Sequence, residues 1–298
     1  MEKEGTAGSY NKRRVRIGPM PGRMAAMRKS FLPLIALIFS FAAHTVAQTP
    51  SQTFQPQVGQ PGKDVVWVPT SQALVDKMLD IAKVTPQDVV FDLGSGDGRT
   101  VITAAKRGAR AFGIEYNPDM VELSKQKAAA EGVTQKASFQ KADLFETDLS
   151  QASVITMFLL PDINLKLRPK ILDLKPGTRV VSNTFNMGEW EADETAHVGG
   201  DCGSWCTALL WIVPAKVEGT WRLPQSELKL TQAFQTVGGS LSGSSGGVVT
   251  NGKLRGDQIT FTVGAGQFSG RVHGDVIEGT LTANGKTNNW RATRGSSQ

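Results

Sequence analysis

A glycine-rich turn is the part of the chain whose residue types best suit ligand chemistry. It covers Asp92–Arg99, with the sequence DLGSGDGR, and lies between a strongly apolar run and a helical pattern. Glycines let the chain turn tightly and let a ligand approach the backbone where a Cβ atom would clash. The N–H groups at the start of the following helix can then face that ligand. The spacing differs from the dinucleotide fingerprint, because Arg99 stands where that fingerprint has its third glycine.

Two further acidic residues lie where neighbouring strands are predicted to end. Glu115 ends the strand after the glycine turn, where a carboxylate can accept hydrogen bonds from both ribose hydroxyls. Asp143 ends the third strand and can accept a hydrogen bond from an adenine amino group. Taken singly, Asp92 could be a helix cap, Glu115 a solvated strand end and Asp143 a turn residue. In this order, at the carboxyl ends of consecutive strands, they predict a nucleoside-binding site.

Alternating strand and helix patterns over residues 64–214 position these side chains. A helix is predicted to begin after Ser71, and another begins at Pro118 with Asn117 as its cap. This rhythm predicts an α/β fold whose parallel sheet is covered by helices on both faces. The other predicted elements are helices at Arg99–Arg107 and Leu165–Leu174, and strands at Asp88–Leu93, Ala111–Glu115, Ala137–Gln140, Val154–Leu159, Arg179–Asn183 and Ala208–Val213.

These motifs resemble those of the class I S-adenosylmethionine-dependent methyltransferases: the glycine turn is similar to their first motif, Glu115 to their second and Asp143 to their third. More narrowly, the chain resembles bacterial relatives of the mitochondrial protein-lysine methyltransferases that modify the ATP synthase c subunit and the adenine nucleotide translocator. The segments that carry this resemblance are Trp67–Thr70, Asp92–Arg99, Leu159–Pro161, Pro176–Ser182 and Phe185–Trp190. The resemblance implies a Rossmann-like sheet, S-adenosyl-L-methionine as cofactor, and methylation of a protein lysine or another amine.

The same resemblance implies that Thr70 lies beside the cofactor and that Leu159–Pro161 lines the methyl-transfer pocket. The predicted cofactor-binding residues are Thr70, Asp92, Gly94, Ser95, Gly96, Gly98, Glu115, Tyr116, Asp143 and Leu144. No general base and no metal site are assigned. Asn183, Asn186 and Trp190 follow a strand and are candidates for facing the acceptor, with core packing an equal alternative for Trp190.

A change in composition near Ala215 predicts a second domain. Residues 217–298 hold 15 of the 32 glycines and show short strand patterns. A weak repeat, LRGDQI at 254–259 and VHGDVI at 272–277, places a Gly-Asp turn before each apolar run. Trp221 and Trp290 could lie on adjacent strands that close a barrel or sandwich. We therefore predict a methyltransferase domain over 63–214 and a small antiparallel all-β domain of unassigned role over 217–298.

The start of the chain is typical of an exported protein. Residues 1–47 combine eight basic residues with an apolar run at Phe31–Ala43, which predicts a signal peptide or an N-terminal anchor. Residues 48–62 are uncharged and rich in Gln and Pro, which predicts a flexible linker. The remaining 25 basic and 25 acidic residues cancel, so a nucleic-acid partner is not expected. The predicted location is periplasmic or membrane-tethered, with possible membrane or envelope association.

Two interpretations remain open from the sequence. The first is a methyltransferase that acts on a protein or small amine acceptor. The second is a non-catalytic exported binding protein that retains a methyltransferase-like scaffold, because S-adenosylmethionine is made in the cytosol whereas the leader predicts export. Cys202 and Cys206 could pair in an oxidising compartment or remain two free thiols.

Overall fold

The computed structural model describes residues 54–200, 202–244 and 246–295. The predicted leader over 1–47 lies outside the described residues. The elements of the first domain are α1 (Gln72–Ile81), β1 (Val89–Leu93), α2 (Arg99–Lys106), β2 (Arg110–Glu115), α3 (Pro118–Ala130), β3 (Ala137–Lys141), β4 (Val154–Met157), α4 (Pro161–Leu172), β5 (Arg179–Asn183), β6 (Glu194–His197) and β7 (Thr207–Ile212).

The seven strands form one sheet in the order β3-β2-β1-β4-β5-β7-β6. The first five are parallel, as predicted, and form a Rossmann-like sheet. The prediction of a wholly parallel sheet is wrong at its far edge, because β7 runs antiparallel to both β5 and β6. β6 was not predicted, since its short and mostly exposed sequence, ETAH, carries no apolar pattern.

Local signals in the sequence set most of the helix boundaries. The Ser71 hydroxyl accepts a hydrogen bond from the Leu74 N–H at 3.3 Å and caps α1. The Asn117 side chain accepts one from the Asp119 N–H at 2.9 Å and caps α3. α4 begins at Pro161, earlier than predicted, since proline suits the first helical position. The predicted strand over Val154–Leu159 is correspondingly shorter and ends at Met157.

Helices cover both faces of the sheet, and each face has its own core. α1, α2 and α3 pack on one face, where Val90, Val154 and Val181 of the sheet are buried. α4 packs on the other face through Leu167 and Ile171. Because helices cover both faces, a ligand site is expected at the carboxyl ends of the parallel strands.

The second domain is a closed antiparallel barrel with a packed interior. The strands are β8 (Gly219–Leu223), β9 (Ser226–Ala233), β10 (Thr236–Leu241), β11 (Gly247–Arg255), β12 (Gln258–Val263), β13 (Gly266–His273), β14 (Val276–Ala283) and β15 (Lys286–Arg294). β15, which carries Trp290, pairs with β8, which carries Trp221, and this pairing closes the barrel as predicted. The Gly-Asp pairs of the weak repeat form the turns before β12 and β14, with Gly256 at φ +63° and Gly274 at φ +58°.

The barrel packs directly on the first domain. The ring of Trp190 stacks on that of Phe234, with centroids 6.0 Å apart, and the Trp190 side chain is fully buried. The Gln235 amide donates to the Glu191 carbonyl at 2.9 Å. Trp190 is therefore a packing residue between the domains and does not face an acceptor. Among the residues described, no helix combines the length and apolar character that a membrane span requires.

Candidate active site

A cavity lies at the carboxyl ends of the parallel strands and brings the predicted cofactor-binding residues together. They come from the last residues of β1 and β2, from the segments that follow β1, β2 and β3, and from the chain just before α1. Of the segment Leu159–Pro161, which the resemblance implied for the methyl-transfer pocket, Leu159 and Leu160 line the cavity and Pro161 does not. No residue of the barrel is among the described lining residues. Nine of the ten predicted residues line the cavity: Thr70, Asp92, Gly94, Ser95, Gly96, Glu115, Tyr116, Asp143 and Leu144.

The glycines of the turn have different roles. Gly96 lines the cavity at φ +52°, and a Cβ atom there would come within 2.7 Å of the Trp67 indole nitrogen. Gly98 does not line the cavity. A Cβ atom at Gly98 would lie 2.8 Å from both Phe139 and Ser124, so its glycine is required for close packing behind the turn. The predicted contact between Gly98 and a cofactor is therefore not supported by its position.

The Glu115 carboxylate is held in place by two backbone N–H groups. Its Oε2 atom accepts from the Gly96 N–H at 2.9 Å, and its Oε1 atom accepts from the Asn117 N–H at 2.9 Å. Each carboxylate oxygen can accept a second hydrogen bond. The carboxylate is therefore oriented before any ligand arrives and can receive two neighbouring hydroxyl donors, such as those of a ribose.

Asp92 is a buried carboxyl beside other negative charges. Burial, together with the negative charge of the nearby Glu115 and Asp97 carboxylates, raises its pKa to about 7 against the opposing effect of hydrogen bonds from Thr156 and Thr100. The Thr156 hydroxyl donates to Asp92 Oδ1 at 2.6 Å. A cation entering the cavity would favour the ionised carboxylate. This part of the cavity thus suits a ligand that carries an ammonium or sulfonium group.

An ion-pair network fixes the turn against its neighbours. Burial alone would raise the pKa of Asp97, but hydrogen bonds and charge from Arg99 and Lys127 lower it to about 2. Arg99 binds Asp97 with two nitrogens at 2.8 and 2.9 Å, and Lys127 binds the same carboxylate at 2.7 Å. Arg99 also donates to the Thr70 carbonyl at 2.8 Å. Arg99 and Asp97, to which the sequence assigned no role, therefore position both the turn and Thr70.

The segment before α1 folds over the cavity. The Gly59 N–H donates to the Trp67 carbonyl at 2.8 Å, and the Trp67 N–H donates to the Gln60 carbonyl at 2.9 Å. Lys63 donates to Asp143 Oδ2 at 2.6 Å and lowers the pKa of that carboxyl. From Gly59 onward the predicted linker forms these backbone hydrogen bonds, of which its polar composition gave no sign. The flexibility predicted for residues 48–62 stays a prediction.

Three aromatic side chains line the other end of the cavity, and sequence reasoning missed their role. They are Phe158 after β4, Phe185 after β5 and Trp205 before β7. Trp205 belongs to the CGSWC segment, in which Cys202 and Cys206 form a disulfide. This pairing resolves the alternative that the sequence left open.

The two asparagines that were candidates for facing the acceptor do not line the cavity. Asn183 is buried behind it and donates to the Thr70 hydroxyl at 3.2 Å. Asn186 is exposed and accepts from the Gly188 N–H at 3.2 Å. Asn183 therefore supports Thr70 from behind, and the expectation that either side chain meets the acceptor is not supported.

The described residues contain no group of three or more histidine, cysteine, aspartate or glutamate side chains arranged to hold a metal ion. The residues that line the cavity offer carboxylates, backbone groups and apolar side chains to a ligand.

Comparison with known proteins places the chain in a family. The sequence model of the ANTKMT methyltransferase domain matches residues 92–194. A protein-lysine N-methyltransferase from Saccharolobus islandicus is 46% identical over 137 residues, which cover 45% of this chain and 85% of that protein. The chain belongs to the ANTKMT family of methyltransferases. The enzyme is thus an S-adenosylmethionine-dependent methyltransferase, and the predicted class and cofactor are confirmed.

Other relatives match different shares of their own length. The human lysine N-methyltransferase of the ATP synthase c subunit is 35% identical over 136 residues, which cover 45% of this chain and 57% of that enzyme. A solved structure from Salinibacter ruber, an RNA methyltransferase in complex with S-adenosyl-L-homocysteine, is 45% identical. That alignment covers 50% of this chain and 96% of the other, with a TM-score of 0.48.

The cavity fits this cofactor on its own chemistry. Glu115 offers two oriented acceptors to ribose hydroxyls, and Asp92 offers a buried carboxyl to the amino group of the methionine part. The absence of a side chain at Gly96 leaves room for the Trp67 indole, which also lines the cavity. Asp143 would reach an adenine amino group only by sharing its carboxylate with Lys63, so its predicted role stays a prediction.

Replacing Glu115 with alanine should weaken the binding of S-adenosylhomocysteine by at least about tenfold, since a hydrogen bond to a charged group is worth about 1.5–3 kcal/mol. Isothermal titration calorimetry measures the change. Glu122→Ala, an exposed position on α3, is the matched control and should bind as the parent protein does. Unchanged affinity in Glu115→Ala would remove Glu115 from the ribose role.

The affinity for S-adenosylhomocysteine should depend on pH through Asp92. Its pKa of about 7 lies above the ordinary value, so the carboxyl of the cofactor-free protein takes up a proton as pH falls below 7. Only the carboxylate pairs with the ligand's amino cation, so affinity should fall by up to about tenfold per pH unit below that point. Calorimetry at intervals of about half a pH unit on either side of neutrality follows this titration.

Two variants separate Asp92 from other titrating groups. Asp92→Asn should bind weakly with little pH dependence, and Asp119→Asn, an exposed position at the start of α3, should behave as the parent protein does. The pKa of Asp92 is lower in the unfolded chain than in the folded protein. Between these two values the folded protein binds more protons, so its free energy of unfolding falls as pH rises through this range. Asp92→Asn should therefore stabilise the cofactor-free protein at mildly alkaline pH. An unaltered pH profile in Asp92→Asn contradicts the assignment.

Proposed function

We propose that the enzyme methylates the ε-amino group of lysine residues in a protein. The observation that carries this proposal is the apolar part of the cavity, which Leu159, Leu160 and Ile163 line together with the three aromatic side chains. Relatives support the same acceptor. The archaeal relative is a protein-lysine N-methyltransferase, and a mouse relative, 33% identical, is an adenine nucleotide translocase lysine N-methyltransferase.

The residues of the chain have two tasks in this reaction. When bound, the cofactor supplies an activated methyl group on a positively charged sulfur. Glu115 and Asp92 hold the adenosyl and amino acid parts, which fixes the position of that methyl group. The apolar side chains around Leu159 remove water from the acceptor and lower the pKa of its ammonium group, so that the proton leaves to solvent. The free amine then forms the N–C bond as the S–C bond breaks, and the positive charge passes from sulfur to nitrogen.

The intact site favours this function over a non-catalytic scaffold. A chain that had lost its activity would have no reason to keep the Glu115 carboxylate oriented by two backbone N–H groups. It would equally be free to replace Asp92, a buried carboxyl whose desolvation disfavours the charged form. The burial of Asp92 is unfavourable without a ligand, and the orientation of Glu115 is specific to one. Both features suit S-adenosylmethionine.

Mass spectrometry of membrane and envelope proteins tests the acceptor. Cells that lack the gene should lose a methyl group from lysine residues of at least one protein, because the enzyme that attaches it is missing. Restoring the gene should return the modification, whereas restoring it with Glu115→Ala should not. Methyl transfer to RNA or only to small amines, with no lysine in any protein changed, would contradict the proposal.

We also propose that the body of the protein acts outside the cytosol, in the periplasm or tethered to the membrane. The basic and apolar leader over 1–47 supports export, and the Cys202–Cys206 disulfide supports an oxidising compartment. Export would require a supply of the cofactor beyond the cytosol, which a membrane-tethered location alone does not provide.

Cell fractionation with N-terminal sequencing of the mature protein checks the compartment. We expect the body in the envelope fraction, with a new N-terminus near Ala47 or with the leader retained as an anchor. A cytosolic protein that begins at Met24 or Met27, with both cysteines reduced, would contradict export.

A further inference from the structure

Phe158, Phe185 and Trp205 form an aromatic wall at the apolar end of the cavity. Their ring centroids lie 5.9 Å apart for Phe158 and Phe185, 5.7 Å for Phe158 and Trp205, and 5.3 Å for Phe185 and Trp205. All three line the cavity and remain partly exposed. None of them belongs to the hydrophobic cores of the described residues, so their packing contributes little to holding the sheet together.

The sheet topology brings these three side chains to one place. β4, β5 and β7 are neighbours in the sheet, and each aromatic residue lies just beyond one of them. β7 runs antiparallel to β5, with Ala208 opposite Asn183, so the start of β7 lies beside the end of β5. If β7 ran parallel to β5, Trp205 would lie at the opposite end of the strands, away from the cavity. The antiparallel strand is therefore what carries an aromatic side chain into the cavity.

The disulfide restricts the position of Trp205. Cys202 and Cys206 are bonded across a sequence separation of 4, and the Trp205 N–H donates to the Cys202 carbonyl at 3.2 Å. The loop continues directly into β7 at Thr207. Trp205 is thus tied on one side to the sheet and on the other to a closed loop, which limits the orientations its side chain can take.

The two ends of the cavity differ in the way they attract positive charge. Asp92, Glu115 and Asp143 line one end and suit the cationic cofactor. The aromatic wall has no formal charge, and aromatic faces attract cations through their quadrupole. This attraction grows when the cation is poorly hydrated, as it is when methyl groups replace the N–H bonds of an ammonium. A carboxylate in the same place would instead stabilise the unmethylated ammonium and hold its proton.

From this arrangement we propose that Phe158, Phe185 and Trp205 bind the acceptor's amino group as it becomes an alkylammonium ion, and favour methylated over unmethylated ammonium. The inference rests on the proposed function, in which the acceptor is a lysine. The wall stabilises the positive charge that develops on nitrogen while the N–C bond forms. It also retains a methylated lysine for a second transfer, because the product is a better ligand for the wall than the hydrated primary ammonium.

A pair of probes that differ only in charge tests the wall. One is Nα-acetyl-Nε-trimethyl-lysine methylamide, and the other is its neutral isostere, with a carbon atom in place of the charged nitrogen. Calorimetry is done on the full chain saturated with S-adenosylhomocysteine. The charged probe should bind more tightly than the isostere by about threefold to thirtyfold, the range that cation–π contacts provide.

Variants assign the preference to the aromatic faces. Trp205→Leu keeps an apolar side chain without a large aromatic face and should lose most of the preference, whereas Trp205→Phe should keep much of it. Phe185→Leu, in which Trp205 is unchanged, should also reduce the preference for the charged probe. S-adenosylhomocysteine should bind to all three variants as it does to the parent protein, which shows that they fold and that the acidic end is intact.

The outcomes separate the wall from the proposed function. Equal binding of the two probes to the parent protein, or an unchanged preference in Trp205→Leu, overturns the wall even if lysine is methylated. A preference that depends on Trp205 supports the wall even in an enzyme that transfers methyl groups to no protein lysine. In that case the proposed function fails and the acceptor is another amine.

Discussion

The Glu115 carboxylate connects the turn after β1 to the turn after β2, and the rest of the site depends on this connection. One oxygen accepts from the Gly96 N–H and the other from the Asn117 N–H, so the side chain fixes two strand ends relative to each other. The Asp97 network then ties the same turn to α3 and to the segment before α1. A cavity with a fixed shape results before any ligand binds, which reduces the ordering cost of binding.

The sequence predicted much of the fold because its signals there are local. The apolar run before the glycine turn, the Ser71 and Asn117 caps and the Gly-Asp turns each act within a few residues, and the structure confirms these elements. Most of the predicted cofactor-binding residues line the cavity for the same reason, since they lie at or directly after the end of a strand. Gly98 is the exception: its requirement for glycine comes from packing against Phe139 and Ser124, which adjacent sequence does not reveal.

The features that the sequence did not reveal depend on contacts between distant residues. The antiparallel direction of β7 follows from its pairing with β5. The order of the segment before α1 follows from hydrogen bonds such as Lys63 to Asp143, which lie 80 residues apart. The aromatic wall combines residues from three separate segments, and only the two cysteines around Trp205 gave a local signal, which left pairing open. These contacts give the cavity an acidic end and an apolar end.

The most direct test of the role given to Glu115 is a crystal structure of the enzyme with S-adenosyl-L-homocysteine. We predict both ribose hydroxyls within hydrogen-bond distance of the Glu115 carboxylate, the ligand's amino group beside Asp92, and its sulfur directed toward Leu159 and the aromatic side chains. A ligand bound elsewhere, or a Glu115 side chain turned away from the ribose, would contradict the central role of this carboxylate.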